Sequence, residues 1–385
     1  MKTPKPQAPE PHSPEGSLFT NDRMEGLASN APEMIGCDSD LPYAHGKRPY
    51  IRLRRSRRMR APTAACRCWS DPMQKPMPPQ TPRSLNPPAN VVEPYTFFQS
   101  VRDHPLQPLD TALNLRNAWW FADASLLAYS RESDIKTTFH SAGIAGEVRF
   151  FHGAGSTQAY VVSMQKAIVL AFRGTQIDNF WSSVLDFAID VQFLPIPNSH
   201  GDLVHAGFQH ALAEVWTDVA GHLTAEQTLS ARPLWITGHS LGGALATLAA
   251  DLCSDYPALG LHGLYTFGSP RTGDAGFGAR IRVPVFRLRN DSDLVPHLPL
   301  GLVFRHVGHL QFIDGAGHLH RNLTSTSEVL LDPGAHLISA RDALMMQGML
   351  QNRSACELPL PGFLADHAPI NYSILAWNIY DRGRG

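Results

Sequence analysis

LWITGHSLGGALATLAA, the stretch Leu234–Ala250, decides the fold of this chain. Leu234–Thr237 has the short apolar pattern of a buried strand, and Ala244–Ala250 continues as an apolar helix. Between them lies Gly238-His239-Ser240-Leu241-Gly242, a Gly-x-Ser-x-Gly motif in the strand–turn–helix context of a nucleophilic serine. The sequence therefore predicts that Ser240 projects from a tight turn above a sheet.

The glycines of this motif follow from the geometry of such a turn. A serine on so tight a turn has a strained backbone, and side chains two residues to either side would keep the strand and helix apart. The N-terminus of the helix would face the serine oxygen, where a developing negative charge is stabilised. The alternative, a glycine-rich loop that merely precedes a helix, does not account for the apolar flanks.

Strands and helices alternate on either side of the motif. An opening helix is predicted over Asn117–Tyr129 and a closing helix over Asn371–Trp377. The other predicted elements are strands at Tyr160–Met164, Ala167–Phe172, Leu234–Thr237, Leu264–Phe267 and Val283–Leu288, and helices at Gly207–Ala220 and Leu241–Leu252. This alternation predicts an α/β protein with a mostly parallel central sheet and helices on both faces.

The first 90 residues differ in composition from the rest of the chain. The 385 residues carry a net charge of −1, but residues 1–90 hold 14 Lys and Arg against 8 Asp and Glu, and 16 of the 31 prolines. Such a segment cannot bury enough apolar surface to offset the entropy of ordering. We predict a disordered Pro/Arg-rich leader over 1–90 and one folded domain over 91–385.

Charge and cysteine usage narrow the function classes. The arginine cluster Arg52–Arg60 could attract nucleic acid, anionic lipid or a transport receptor, and such a role could coexist with another activity of the chain. No aromatic residues interleave with the cluster, which favours a solvated tail and no specific nucleic-acid partner. The five cysteines form no regular framework, and the Cys66-x-Cys68 pair has no second pair to complete a zinc site. The sequence therefore implies neither disulfides nor a metal.

A nucleophilic serine needs two partners. A histidine takes its proton, and a carboxylate orients that histidine. On this kind of sheet the chain order is serine, acid, histidine. The strand at Val283–Leu288 leads to two aspartates, and because Asp291 would also suit a turn, Asp293 is only modestly preferred as the acid.

Several histidines compete for the third position. Those that follow Asp293 are His297, His306, His309, His318, His320, His336 and His367. His297 lies only four residues from Asp293, so one strand end would have to supply both groups, whereas His306 and His309 sit in a strand-like stretch that suits core residues. His367 precedes the closing helix, which is where the last group should lie.

Five ordered blocks resemble the class 3, or fungal-type, lipase family of α/β-hydrolases. The blocks are AFRGT at 171–175, VHAGF at 204–208, GHSLGGALA at 238–246, TFGSPRTGD at 266–274 and NDSDLVPHLP at 290–299. The resemblance spans about residues 115–375. It implies that Asp293, just before the Leu-Val-Pro-His segment, is the acid, and that His367, in a late Asp-His pair with Tyr372 nearby, is the base.

The same resemblance implies an oxyanion hole and a lid. Thr175 would supply one oxyanion donor and the backbone N–H of Leu241 the second. In the family a helical lid follows the oxyanion strand, which makes Phe180 and Trp181 candidate lid or substrate-binding residues. Core packing is the alternative explanation of this apolar stripe.

The expected location departs from that of the family. The sequence contains no run of about 18 apolar residues, the length needed to span a bilayer, and no signal peptide is recognisable at the N-terminus. The family's fungal members are secreted and disulfide-bonded. We expect instead a soluble protein, cytoplasmic by default, with non-classical export and peripheral membrane contact as open alternatives.

These features predict a serine carboxylic-ester hydrolase that acts on lipid esters at a lipid–water interface. Ser240, Asp293 and His367 would work through an acyl-enzyme, without a metal or an organic cofactor. A phospholipase A1 or a short-chain carboxylesterase would share every catalytic residue and remains an alternative. A non-catalytic lipid-binding module is a different class, and the presence of all three groups in register argues against it.

Overall fold

A computed structural model of the chain describes residues 95–174, 194–299, 303–323 and 366–383. The leader predicted over residues 1–90 lies outside these ranges, and so does the boundary proposed after residue 90. The division into a leader and one folded domain therefore stays a prediction. Among the described residues, no helix is long and apolar enough to cross a bilayer.

Helices and strands alternate along the described chain. The helices are α1 (Leu115–Leu127), α2 (Glu132–Ala142), α3 (Ala206–Leu229), α4 (Leu241–Cys253), α5 (Ala275–Arg280) and α6 (Pro369–Arg382). The strands are β1 (Gly146–His152), β2 (Gln158–Met164), β3 (Ile168–Phe172), β4 (Pro195–Pro197), β5 (Leu203–His205), β6 (Leu234–His239), β7 (Leu261–Phe267), β8 (Val285–Asn290), β9 (His309–Ile313) and β10 (Leu319–Leu323). Each strand and helix predicted within the described ranges is present, with ends shifted by up to five residues except at α3, which extends nine residues further. The expected lid helix lies outside the described residues.

The central sheet has eight strands in the order β1-β2-β3-β6-β7-β8-β9-β10. Neighbours from β3 to β9 are parallel, whereas β1, β2 and β3 pair antiparallel, as do β9 and β10. The predicted α/β architecture is confirmed. Because the central strands point the same way, their C-terminal ends lie along one edge, where sites of open α/β sheets form.

Helices cover both faces of the sheet because successive residues of a strand point to opposite sides. In β3, Ile168, Leu170 and Phe172 pack in the apolar cluster that includes residues of α3 and α4. Val169 and Ala171 pack in the other cluster, with residues of α1 and α6. The fully buried β3 is therefore apolar along its whole length, as expected for a strand covered twice.

The opening and closing helices pack against each other. Trp119 of α1 meets Trp377 of α6 edge-on, with ring centroids 4.6 Å apart. The side chain of Asn114 caps α1 by accepting hydrogen bonds from the N–H groups of Arg116 and Asn117. Because α6 begins two residues after His367, this packing fixes the position of that histidine relative to the sheet.

Asp123 places a carboxyl group in the core beneath α1, where it is fully buried. It accepts a hydrogen bond from the Tyr95 hydroxyl at 2.6 Å and another from the Phe98 N–H at 2.5 Å. Burial raises the pKa of Asp123 to about 7, although these hydrogen bonds favour the ionised form. The folded protein therefore holds this proton more tightly than the unfolded chain does.

This difference predicts a pH-dependent stability. Asp123 stabilises the fold fully below its unfolded pKa of about 4, and that contribution is lost as the pH rises towards 7. Asp123→Asn has nearly the same size but does not titrate. We expect the free energy of unfolding of the wild type, relative to Asp123→Asn, to fall between about pH 4 and 7 in urea titrations. A difference that stays constant with pH would contradict this account.

Candidate active site

Ser240 occupies a strained turn between β6 and α4. Its backbone has φ 58° and ψ −129°, a positive φ that residues with a Cβ rarely adopt. A Cβ on Gly238 would collide with the backbone of Gly242, and one on Gly242 would collide with the carbonyl oxygen of Phe172. The Ser240 N–H donates to the Phe267 carbonyl at the end of β7, 2.9 Å away, which fixes the turn to the sheet.

Ser240, His367 and Asp293 form one line of hydrogen bonds. His367 Nε2 lies 2.9 Å from Ser240 Oγ, and His367 Nδ1 lies 2.9 Å from Asp293 Oδ2. The side chains of His367 and Asp293 are fully buried, and the serine is 3% exposed. The structure thus brings together the three residues that the sequence predicted. Ser240 directly follows β6, Asp293 lies in the turn after β8, and His367 lies just before α6.

Asp293 has further hydrogen-bond partners. The Tyr372 hydroxyl donates to Asp293 Oδ2 at 2.5 Å, and the Val295 N–H donates to Oδ1 at 3.0 Å. Burial raises the pKa of Tyr372 well above its usual range. The phenol therefore stays protonated and donates a hydrogen bond to the carboxylate. These donors hold the carboxylate in the orientation that meets the imidazole.

The backbone around His367 is held from two strands. From β8, the Asn290 side chain donates to the Asp366 carbonyl at 3.0 Å. From β6, His239 Nε2 lies 2.7 Å from the carbonyl oxygen of His367 itself. Asn290 N–H also donates to the Tyr372 hydroxyl at 3.0 Å, which connects β8 to α6. The histidine is therefore fixed by its backbone as well as by its ring.

The competing residues lie elsewhere. Asp291 has φ 29° in the turn after β8, where its N–H donates to the Ile313 carbonyl, so it is a turn residue as weighed above. His306 Nε2 bonds the Pro296 carbonyl at 2.7 Å, and His318 and His320 both reach Asp314. His336 lies outside the described residues.

The predicted oxyanion hole and lid are described only in part. Leu241 is the first residue of α4, where the N–H groups of the first turn have no partner within the helix. The role of this N–H as an oxyanion donor beside Ser240 stays a prediction. Thr175, Phe180 and Trp181 lie outside the described residues, which stop at Gly174 on this side, so their roles stay predictions.

Sequence reasoning missed three contributors to the geometry: the hydroxyl of Tyr372, the side chain of Asn290 and the bare α-carbon of Gly268. A Cβ on Gly268, whose φ is 56°, would lie 2.7 Å from Asp293 Oδ2 and 2.9 Å from His367 Nδ1. Asn290 and Gly268 stand in the quoted blocks and Tyr372 follows His367, but one sequence does not show which atoms they meet. A glycine directly after a buried strand was the available signal.

The sheet order, the strained serine turn and the buried Ser–His–Asp contact define the class of this protein: it is an α/β-hydrolase. The sequence model of the family "Lipase (class 3)" matches residues 169–302. Over these residues the chain matches the class 3, fungal-type lipase family, the one that the motifs resemble.

Named relatives share this segment. A lipase from Rhizomucor miehei is 36% identical over 154 residues, which cover 37% of this chain and 41% of that protein. Secreted mono- and diacylglycerol lipase 1 from Fusarium solani is 33% identical over 187 residues, 46% of this chain and 53% of that protein. The matched segment thus spans about two fifths to one half of these relatives. A solved structure of the R. miehei triacylglyceride lipase superposes with a TM-score of 0.49 and 26% identity, covering 61% of this chain and 95% of that one.

The expectation of a cytoplasmic location is wrong in the light of these relatives. The Fusarium solani protein and a Penicillium camembertii protein, 36% identical over 143 residues, are both named as secreted lipases. The expectation rested on cysteine usage and on the first residues of the chain, and the relatives that match residues around the serine motif are named as secreted proteins.

The close approach of Gly268 to the triad generates a prediction. In Gly268→Ala the added methyl group would press between Asp293 and His367 in a backbone conformation that alanine avoids. We expect fluorophosphonate labelling of Ser240 to slow by about 10²-fold, because small displacements of a catalytic group cost that much. Gly278→Ala is the matched control, since a Cβ there meets only Val307 at an ordinary 3.6 Å. Equal labelling rates in both variants would exclude the steric argument.

Proposed function

We propose that this protein hydrolyses carboxylic esters of lipids, with Ser240 as nucleophile. The observation that carries the proposal is the continuous buried line from Ser240 Oγ through the His367 ring to Asp293, set at a strained turn on the C-terminal edge of the sheet. Such a line supplies what acyl transfer requires: an activated hydroxyl, a base and a group that orients the base.

The proposed cycle uses only side chains and backbone groups of this chain. His367 Nε2 takes the proton of Ser240 as Oγ attacks the ester carbonyl, and Asp293 stabilises the imidazolium that forms. The Leu241 N–H, with Thr175 as the proposed second donor, stabilises the oxyanion of the tetrahedral intermediate. His367 then gives its proton to the departing alcohol. In the second half it activates a water that releases the fatty acid.

Acylglycerols are the substrates we propose. The named relatives include mono- and diacylglycerol lipases, and the matched segment contains the serine turn and Asp293. Phe180 and Trp181 would form part of a lid that opens at a lipid–water interface and leaves an apolar surface for the acyl chain. We further propose that the protein acts outside the cell, as the secreted relatives do.

A substrate series with two serine variants tests the proposal. Wild type, Ser240→Ala and Ser254→Ala are assayed on emulsified tri-, di- and monoacylglycerols, phosphatidylcholine vesicles and soluble p-nitrophenyl butyrate. Ser254 is exposed and caps the far end of α4, which makes it a matched control. We expect wild type and Ser254→Ala to release fatty acid from acylglycerols and Ser240→Ala to lose at least about 10³-fold, as removal of a nucleophile does.

The pattern across substrates separates the alternatives. Activity on emulsions that exceeds activity on soluble ester supports the acylglycerol proposal. Ser240-dependent activity confined to p-nitrophenyl butyrate would make the protein a short-chain esterase, and preference for the vesicles would make it a phospholipase. Equal rates for wild type and Ser240→Ala would overturn the assignment of the nucleophile.

A further inference from the structure

His239, the second residue of the serine motif, is buried in the middle of a hydrogen-bonded chain. Its Nε2 lies 2.7 Å from the carbonyl oxygen of His367, and its Nδ1 lies 2.9 Å from the Tyr129 hydroxyl. The His239 ring also packs against the His367 ring, with centroids 4.6 Å apart. His239 is fully buried and Tyr129 is 4% exposed.

The direction of each hydrogen bond follows from the chemistry of the groups. A carbonyl oxygen can only accept, so the proton between the two residues sits on His239 Nε2. Burial lowers the pKa of His239 well below its usual range, so the ring is neutral and Nδ1 is an acceptor. The Tyr129 hydroxyl must therefore donate to Nδ1. The burial of Tyr129 raises its pKa, which keeps that proton in place.

The chain of hydrogen bonds continues to Gly174, two residues after the end of β3. The backbone N–H of Gly174 hydrogen-bonds the Tyr129 oxygen, which is free to accept because its proton points to His239. A Cβ at position 174 would collide with that oxygen, so a glycine is required for the approach. Three hydrogen bonds thus run in one direction, from Gly174 N–H through Tyr129 and His239 to the His367 carbonyl.

We infer that Tyr129 and His239 are positioning residues of the active site. They set the distance between the base His367 and the backbone of Gly174. This inference rests on the proposed function. Gly174 directly precedes Thr175, the proposed oxyanion donor, and His239 directly precedes the nucleophile. These hydrogen bonds therefore fix the positions of the nucleophile, the base and the backbone before Thr175 relative to one another.

A neutral His239 also prevents a competing arrangement. If the ring were protonated, both nitrogens would donate, and the Tyr129 oxygen would have to accept from Nδ1 and from Gly174 N–H while its own proton turned elsewhere. The buried site thus favours a single tautomer, and with it a single placement of the His367 carbonyl. No group in this chain of hydrogen bonds touches the substrate in the proposed cycle, so the effect is on geometry alone.

The test compares variants that remove hydrogen bonds of this network with a variant that removes a similar buried hydrogen bond elsewhere. Tyr129→Phe removes the hydroxyl, His239→Met removes both ring nitrogens, and His239→Gln offers an amide N–H near the former Nε2. Ser125→Ala is the matched control. Ser125 lies on α1, four residues before Tyr129, is 1% exposed, and its hydroxyl lies 2.8 Å from that of Thr237 in β6. All are assayed for kcat and KM on p-nitrophenyl butyrate, for fluorophosphonate labelling and for Tm.

We expect a loss in kcat with little change in KM. His239→Met should lose about 10²-fold and Tyr129→Phe about tenfold, because the base moves away from Ser240 while the substrate pocket is unchanged. His239→Gln should recover to within about tenfold of the wild type, since one N–H to the His367 carbonyl is restored. Labelling should slow in parallel with kcat. Ser125→Ala should lower Tm as much as Tyr129→Phe does, yet leave kcat unchanged.

The inference is overturned if Tyr129→Phe and His239→Met lose no more kcat than Ser125→Ala, or if His239→Gln is as slow as His239→Met at equal Tm. Failure of the proposed function has a different appearance, because the wild type would then show no hydrolysis that depends on Ser240. If the wild type is active, Ser240→Ala is inactive, and Tyr129→Phe and His239→Met are unaffected, the positioning role is rejected and the hydrolase proposal stands.

Discussion

The positive φ of Ser240 is the constraint on which the site depends. A residue with a Cβ reaches this conformation only when its surroundings supply the energy, and here they do so by close packing of strand and helix. The bare α-carbons of Gly238 and Gly242 permit that packing. The turn aims the hydroxyl away from the sheet, at the edge to which β8 and the segment before α6 deliver the other two groups. Without the strain, the three side chains would not meet.

The sequence predicted the framework because its signals are local. Alternating apolar segments identified the central strands and the covering helices, and the Gly-x-Ser-x-Gly turn with its flanks identified the nucleophile. The acid and the base were harder, because Asp291 and several histidines have the right chemistry at plausible places. The family resemblance separated them, and the contact of Asp293 with His367 agrees with that choice.

What the sequence could not predict depends on contacts between distant residues. Nothing near Tyr372 states that its hydroxyl will meet Asp293, 79 residues away along the chain. The same holds for Tyr129 and His239, which are 110 residues apart and meet only because α1 covers β6. The edge strands β1 and β10 also escaped prediction, since their partly exposed, mixed residues give a weak alternation. The predicted location was wrong because cysteine usage and the first residues of the chain carry little information about it.

The parallel direction of the central strands has a practical consequence for immobilisation. All three groups of the site lie at the C-terminal edge of the sheet, whereas the turn Ser254–Gly260, between α4 and β7, lies at the opposite edge. Tyr256 in that turn is 48% exposed. If the protein is tethered to a bead or an electrode through this turn, the edge of the sheet that carries Ser240 faces away from the support, towards the film or droplet.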